Sequence, residues 1–197
     1  MLTSEFDYNL PAELIAQSPV RPRDSSRLMV LDRQTGEIQH RHFYDLTNFL
    51  KLGDVLVFNE TKVFKARLMG KFGNREIEIF LLRERDGVWQ ALARPAKLLG
   101  PGAEIYFPGG LVALVADKDD QGIIALKFNL SGHELMAAIS QIGQVPTPPY
   151  IKTPAELEDY QTVYAKNSGS VAAPTAGFHF TPELMEKIKF RGVSLEF

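Results

Sequence analysis

The sequence predicts an α/β domain interrupted by an all-β insertion, and three observations carry that reading. From Lys65 to about Asn129 the chain reads as strand after strand, punctuated by Asp86-Gly87, Pro101-Gly102 and Pro108-Gly109-Gly110. Helical and strand patterns mix on either side of that stretch. The apolar run Val55-Leu-Val-Phe58 follows a Gly53-Asp54 turn and predicts a strand buried on both faces. The implied division is a discontinuous α/β domain over residues 1–64 and 147–197, with an inserted β-barrel domain over residues 65–146.

Residues 11–17 read as a short helix. Residues 28–32, a turn over 33–36, and residues 37–43 read as a β-hairpin. Residues 44–50 read as a second short helix. Within the insertion, strands are predicted over 75–82, 88–93, 104–107, 111–115 and 122–128. Short strands at such spacing suit a small barrel or a sandwich. Residues 132–143 read as a helix with Leu135, Met136 and Ile139 on one face. Pro146-Thr-Pro-Pro149 breaks the pattern as an extended linker, and residues 154–165 return to a helical one. A last helix starts with Thr181 as N-cap and Pro182 at the first helical position. Phe180 and Met185 are spaced as a hydrophobic staple, and Gly192 is its natural stop. Residues 193–197 begin another strand, inside which the sequence ends.

The 197 residues are 45% hydrophobic and 23% charged, which suits a globular protein with a core that needs no staples. With no cysteine, disulfides, thiolate metal sites and cysteine catalysis are excluded, and a reducing, cytoplasmic setting fits. The first residues lack a signal-peptide pattern, and no apolar run reaches the roughly 18 residues of a membrane helix. A net charge of −2 leaves nucleic-acid binding to a local patch. Arg21, Arg23 and Arg27, then Lys62, Lys65, Arg67, Lys71 and Arg75, are the candidates, although the balanced acids favour a solvated surface.

Chemistry concentrates in Gly169-Ser-Val-Ala-Ala-Pro-Thr-Ala-Gly-Phe-His-Phe-Thr181. Small side chains let backbone N–H groups approach a ligand closely. Helix amino ends add partial positive charge and unpaired donors. His179 is then a titratable group in a backbone cradle; a tight turn with a satisfied histidine uses the same residues. His40, His42 and His133 show no metal-ligand spacing and read as structural or surface residues.

That segment, preceded by Tyr160-Gln-Thr-Val-Tyr-Ala165, resembles the signature of the S-adenosylmethionine:tRNA ribosyltransferase-isomerase family of queuosine biosynthesis. Further matching segments follow in order: Phe6-Asp-Tyr-Asn-Leu-Pro11, Arg23-Asp-Ser-Ser-Arg27, Gly53-Asp-Val-Leu-Val-Phe-Asn-Glu-Thr-Lys-Val63, Arg94-Pro-Ala-Lys97 and Pro148-Pro-Tyr-Ile151. The chain departs from the family where Glu60-Thr-Lys62 replaces a common Asp-Thr-Arg, which loses a bidentate guanidinium fork. It also has Phe72-Gly-Asn-Arg75 where a Gly-Gly-Lys is usual, which puts a phosphate-tracking role there in doubt. The family's later Thr-Leu-His-Val-Gly-x-Gly-Thr-Phe type motif is absent. The resemblance therefore implies an amino-terminal portion, with a barrel-like α/β catalytic domain that is incomplete in this chain.

The implied reaction transfers the ribosyl group of S-adenosylmethionine to 7-aminomethyl-7-deazaguanine at the tRNA wobble position. The sugar is rearranged to give epoxyqueuosine, and adenine and methionine leave. No metal or redox cofactor is implied beyond S-adenosylmethionine as co-substrate. The partners expected are that co-substrate and a tRNA with a modified wobble guanine, with no membrane, and the chain as a monomer. His179 is the candidate for proton transfer, with binding of the base or ribose as the open alternative. Arg27, Arg94 and Lys97 suit carboxylate or phosphate recognition, or surface ion pairs. Asn59, Thr61 and Lys62 lie beyond a strand's carboxyl end, where α/β folds gather ligands and where turn chemistry is also common. Tyr150 and Tyr164 would face the ligand; Tyr160 and Tyr164, four apart, would share a helix face as stacking platforms or as core. Ala173, Pro174, Thr175 and Gly177 would form the backbone cradle. Two other readings stand beside this one. The first is a non-catalytic RNA- or nucleotide-binding module. The second, a general S-adenosylmethionine methyltransferase, lacks its expected Gly-rich turn here.

Overall fold

The computed structural model describes residues 1–148, 150–153 and 156–197. The first regular elements are β1 (Arg27–Leu31) and β2 (Ile38–His42), an antiparallel hairpin with Arg27 opposite His42. The Asp32 carboxylate accepts from the backbone N–H groups of Gln34 and Thr35 and so closes the turn between them. Two short strands follow, β3 (Val55–Val57) and β4 (Thr61–Val63).

Six strands then close on themselves: β5 (Arg67–Phe72), β6 (Arg75–Arg85), β7 (Val88–Arg94), β8 (Glu104–Tyr106), β9 (Val112–Lys118) and β10 (Ile124–Phe128). Their order around the barrel is β10-β7-β6-β5-β8-β9, and every pairing is antiparallel. The alternation in β6 is the cause. Ile77, Ile79 and Leu81 point inward and are fully buried, while Glu76 and Glu78 point outward. Asp86 and Gly87 both take positive φ, 53° and 78°, the two-residue turn that matches the twist of a hairpin. Leu68, Ala91, Ile105, Ala113, Val115, Ile124 and Leu126 complete the filling, and Phe64 meets Trp89 edge to face at 5.7 Å. Helix α1 (Gly132–Ile142) adds Leu135 and Ile139 to the same core. Gln144 and Arg67 exchange backbone hydrogen bonds of 2.8 and 3.3 Å, which tie the chain leaving α1 to the start of β5.

The remaining elements are β11 (Asn167–Ser170), α2 (Pro182–Phe190) and β12 (Ser194–Glu196). Strand β11 runs parallel to β4, and β12 runs parallel to β3. Outside the barrel, the described strands pair only two by two. A second, smaller core gathers there from Phe180, Leu184, Met185, Ile188 and Val193, with Phe43, Leu56, Phe58 and Tyr164 packed against it. Helix α2 follows its sequence signals: Thr181 Oγ1 accepts from the Leu184 N–H at 3.1 Å, Phe180 and Met185 share the small core, and Gly192 leaves the helix at φ 79°.

Four local expectations need correction. Residues 11–17 form only a 3₁₀ turn, Ala12–Leu14, with nothing buried; without a core to pack on, so short a helix does not repay its nucleation. Residues 44–50 are likewise a 3₁₀ segment, Phe43–Phe49, held at its start by reciprocal bonds between His42 and Asp45. Of the helix expected over 154–165, Pro154 and Ala155 lie outside the described residues. Beyond them only the 3₁₀ turn Leu157–Tyr160 forms, so Tyr160 and Tyr164 share no helix face. Strand β3 is not buried on both faces, since Val57 is 82% exposed. Only Leu56 of that strand turns into the small core. In the expected linker 146–149, residues 146–148 are irregular and Pro149 lies outside the described residues.

Truncating Ile79 to Ala removes a fully buried side chain from a closed barrel, which cannot collapse around the gap. Denaturant unfolding is expected to show a loss of about 2–5 kcal/mol. A loss below about 1 kcal/mol would contradict a close-packed barrel interior.

Candidate functional site

The small-residue segment between β11 and α2 is held at several points along its length. Strand β11 bulges at Gly169, whose φ of 146° admits no ordinary side chain, and the register with β4 slips between Ser168 and Ser170. Ser170 then closes a tight loop, its hydroxyl donating to the Ala172 carbonyl (2.8 Å) and accepting from the Ala172 N–H (3.1 Å). The 3₁₀ segment Thr175–His179 follows, with the Gly177 N–H donating to the Pro174 carbonyl at 2.8 Å.

Gly177 is buried because its neighbours leave no room. A Cβ there would meet the Tyr164 hydroxyl and, at 2.8 Å, the Thr162 γ-methyl. The Thr162 hydroxyl is itself buried and has no partner among the described residues. Tyr164 is half-buried, its ring edge-on to Phe58 at 4.9 Å. That burial pushes its phenol up, so the hydroxyl is a neutral donor and acceptor at neutral pH.

His179 ends the segment. Its Nδ1 lies 3.0 Å from Ser26 Oγ, and its ring packs 5.1 Å from Phe43. The 3₁₀ turn Arg23–Ser25 sets the serine in place. Arg23 donates to the carbonyls of Gln161 (2.5 Å) and Glu158, and Arg21 pairs with Asp159. Asp24 accepts from the Thr181 hydroxyl at 3.2 Å. Gln161 in turn bridges to β4, accepting from the Val63 N–H at 3.1 Å and donating to the Val63 carbonyl at 2.6 Å.

Several expectations are thereby relocated. Arg21 and Arg23, read as part of a basic patch, are spent on internal contacts. The amino end of α2 is served by Thr181 and faced by the chain's own Asp24. Arg27 is exposed at the start of β1, next in sequence to Ser26. Asn59 does turn chemistry, its side-chain carbonyl accepting from the Thr61 N–H at 3.0 Å. Thr61 and Lys62 lie on β4, beside the strand that leads into the histidine segment, with Lys62 exposed. Ala173 and Pro174 are half-buried and Thr175 is exposed along the segment itself.

Tyr150 is exposed, and its phenol sits near that of Tyr160, whose ring packs 5.4 Å from Phe178. Burial foremost, and then Tyr150, push the Tyr160 phenol up, while Arg67 opposes. Arg94 and Lys97 lie exposed on the barrel, and no hydrogen bond or ion pair among the described residues joins them to His179. A separate cleft of about 580 Å³ between the barrel and the following segment is lined by Lys65, Arg67, Gln144, Thr147 and Lys152, among others, and does not include His179. Among the described residues, no group of three or more His, Asp or Glu side chains is arranged to hold a metal ion. Among the described residues, no helix is long and apolar enough to cross a membrane.

Sequence reasoning missed Ser26, Asp24, Gln161 and Thr162. The available signals were the Arg23-Asp-Ser-Ser-Arg27 and Tyr160-Gln-Thr-Val-Tyr-Ala165 motifs, which name the residues without saying what they face.

Comparison with known proteins assigns the class. A family model described as queuosine biosynthesis protein matches residues 3–197. The chain belongs to that family. Among curated relatives, the S-adenosylmethionine:tRNA ribosyltransferase-isomerase of Dehalococcoides mccartyi (strain CBDB1) is 51% identical over 203 residues, covering 98% of this chain and 57% of the relative. The protein of the same name from Thermotoga petrophila is 50% identical over 195 residues, with the same coverage of both. The chain thus spans little more than half the length of these relatives. A solved structure, the S-adenosylmethionine tRNA ribosyltransferase of Thermotoga maritima, shares 37% identity over 97% of this chain and 56% of that one, at a TM-score of 0.39.

Gly177→Ala is expected to destabilise the fold by about 1–3 kcal/mol through overpacking. Tyr164→Ala in the same background is expected to return part of that loss, giving a coupling of at least about 0.5 kcal/mol in a double-mutant cycle. Strict additivity would show that the two do not share the space the structure gives them.

Proposed function

We propose that this chain binds S-adenosylmethionine in its small-residue segment and takes part in transferring and isomerising its ribosyl group onto 7-aminomethyl-7-deazaguanine at the tRNA wobble position. The product is epoxyqueuosine in tRNA, with release of adenine and methionine. The observation that supports this most is His179: one ring nitrogen is held by Ser26, and the other has no partner among the described residues. It ends a chain of small residues, and beside Gly177 in that chain lie the Tyr164 hydroxyl and Thr162, whose buried hydroxyl has no hydrogen-bond partner among the described residues.

The chemistry calls for a base near the ribose carbon next to the sulfonium, whose positive charge makes that carbon acidic. An imidazole suits proton transfer in either direction near neutrality. In this reading His179 moves the proton, and Ala173, Pro174, Thr175 and Gly177 present backbone groups to the ligand. Tyr164 supplies a hydroxyl to it, and Tyr150 reaches it from the loop before Tyr160. Asn59, Thr61 and Lys62 approach from β4. Arg27 is the cation beside the site and serves the methionine carboxylate or a tRNA phosphate. Arg94 and Lys97 are then tRNA contacts on the barrel. The segments flanking the barrel would together make the α/β catalytic domain, over residues 1–64 and 147–197, with the barrel as an insertion over 65–146. S-adenosylmethionine serves as co-substrate without a metal, and a tRNA substrate fits a cytoplasmic monomer.

The test is adenine release from S-adenosylmethionine in the presence of tRNA carrying the aminomethyl-deazaguanine base. The parent chain is expected to release adenine, and His179→Ala to lose about 100-fold or more. Binding of S-adenosylmethionine by the folded parent without adenine release would favour a non-catalytic nucleotide-binding module instead. Tyr164→Phe is expected to raise KM for S-adenosylmethionine about tenfold, the worth of one hydrogen bond, while thermal stability stays within about 0.5 kcal/mol. An unchanged KM would return Tyr164 to a purely packing role.

A further inference from the structure

We propose that Ser26 is a positioning residue for His179: its hydroxyl oxygen accepts a hydrogen bond from Nδ1–H, which leaves Nε2 as the imidazole nitrogen that takes or gives a proton. The proposal deepens the reading of His179 above and rests on it for its catalytic consequence.

A count of hydrogens assigns the tautomer. A serine hydroxyl has one proton to give and lone pairs to receive. Ser26 Oγ has two neighbours within bonding distance, the Arg23 carbonyl at 2.9 Å and His179 Nδ1 at 3.0 Å. A carbonyl can only accept, so the Ser26 proton goes to Arg23 O, a local return to residue i−3 that serine commonly makes. The lone pairs of Oγ then face Nδ1, which must carry the hydrogen. The opposite tautomer would set two lone pairs against each other or break the bond to Arg23.

The frame around the serine holds it there. The Arg23 guanidinium is fixed to the carbonyls of Gln161 and Glu158. Asp24 accepts from Thr181, two residues past His179, so the turn Arg23–Ser25 grips the chain on the far side of the imidazole as well. The Phe43 ring lies 5.1 Å from the imidazole and restricts its rotation. When His179 gains a proton at Nε2, the Nδ1–H bond to Ser26 persists, so one hydroxyl serves both protonation states. A third group that orients the base in this way is a recurrent catalytic device, usually supplied by a carboxylate. Here it is neutral.

The test uses the full chain with ring-¹⁵N-labelled histidine, the His179 signals being assigned by their loss in His179→Gln. At about pH 8.5, where an ordinary imidazole is neutral, the parent is expected to show the Nδ1–H tautomer. Ser26→Ala is expected to lose that preference, and Ser26→Thr to restore it. In adenine release, Ser26→Ala should lower kcat about tenfold with little change in KM, and Ser26→Thr should recover most of it. An Nε2–H tautomer in the parent, or a tautomer unchanged in Ser26→Ala, overturns the proposal. If no variant releases adenine while the tautomer follows Ser26, the positioning role stands and the reading of the function falls.

Discussion

A segment made of Gly, Ala, Ser, Thr and Pro cannot hold its own shape, because it has little apolar area to bury. Residues 169–179 are of that kind, and the histidine they carry is useful only in a fixed place. The constraint that fixes it comes from far away in sequence. The turn Arg23–Ser25 and its neighbours bond to residues 158–181, across separations of 135 to 157 residues. The two parts of this clamp differ in strength. Arg21 is largely exposed, and a surface ion pair such as its bond to Asp159 contributes about 0–1 kcal/mol. Arg23 bonds two main-chain carbonyls, and its bond to Gln161 is partly buried, where a charge-assisted bond is worth roughly 1.5–3 kcal/mol. Arg23, not Arg21, is therefore the member that sets the position of Ser26 and, through it, of His179.

The same clamp decides the electrostatics of the site. Asp24 faces Thr181 at the start of α2, so the positive end of that helix is complemented from within the protein. Along the segment lie the His179 imidazole and the Tyr164 hydroxyl, with the Thr162 hydroxyl buried beside Gly177. The net cation nearby is Arg27, exposed one residue beyond Ser26.

How much of this could be read from sequence depended on the range of the interaction. The barrel was legible because its signals are local: the alternation of Glu76, Ile77, Glu78 and Ile79, and the Asp86-Gly87 turn. Helix α2 was legible through Thr181 and Pro182 for the same reason. The short helix expected at 11–17 failed because so short a segment with no buried face does not offset nucleation, and residues 44–50 wind instead into the 3₁₀ segment Phe43–Phe49, with Leu46 and Leu50 packed on the small core. The run from Val55 to Phe58 showed apolar character but not how many neighbours the strand would have; only β12 pairs with it among the described residues. For the site, His179 stood out by its surroundings. Its partners did not, since a serine or arginine 153 residues away carries no periodic mark, and Arg23 looked like any surface cation. Family membership, shown by the match over residues 3–197, names these residues together but leaves their geometry unstated.

If the proposed function holds, S-adenosylmethionine sits on the histidine segment. The most direct measurement is a crystal structure of this chain with S-adenosylmethionine bound. The ligand is expected against Ala173 to Gly177, with a polar atom of its ribose or adenine within hydrogen-bond reach of His179 Nε2. A ligand seated instead in the cleft lined by Lys65, Arg67, Thr147 and Lys152, with His179 untouched, would contradict it.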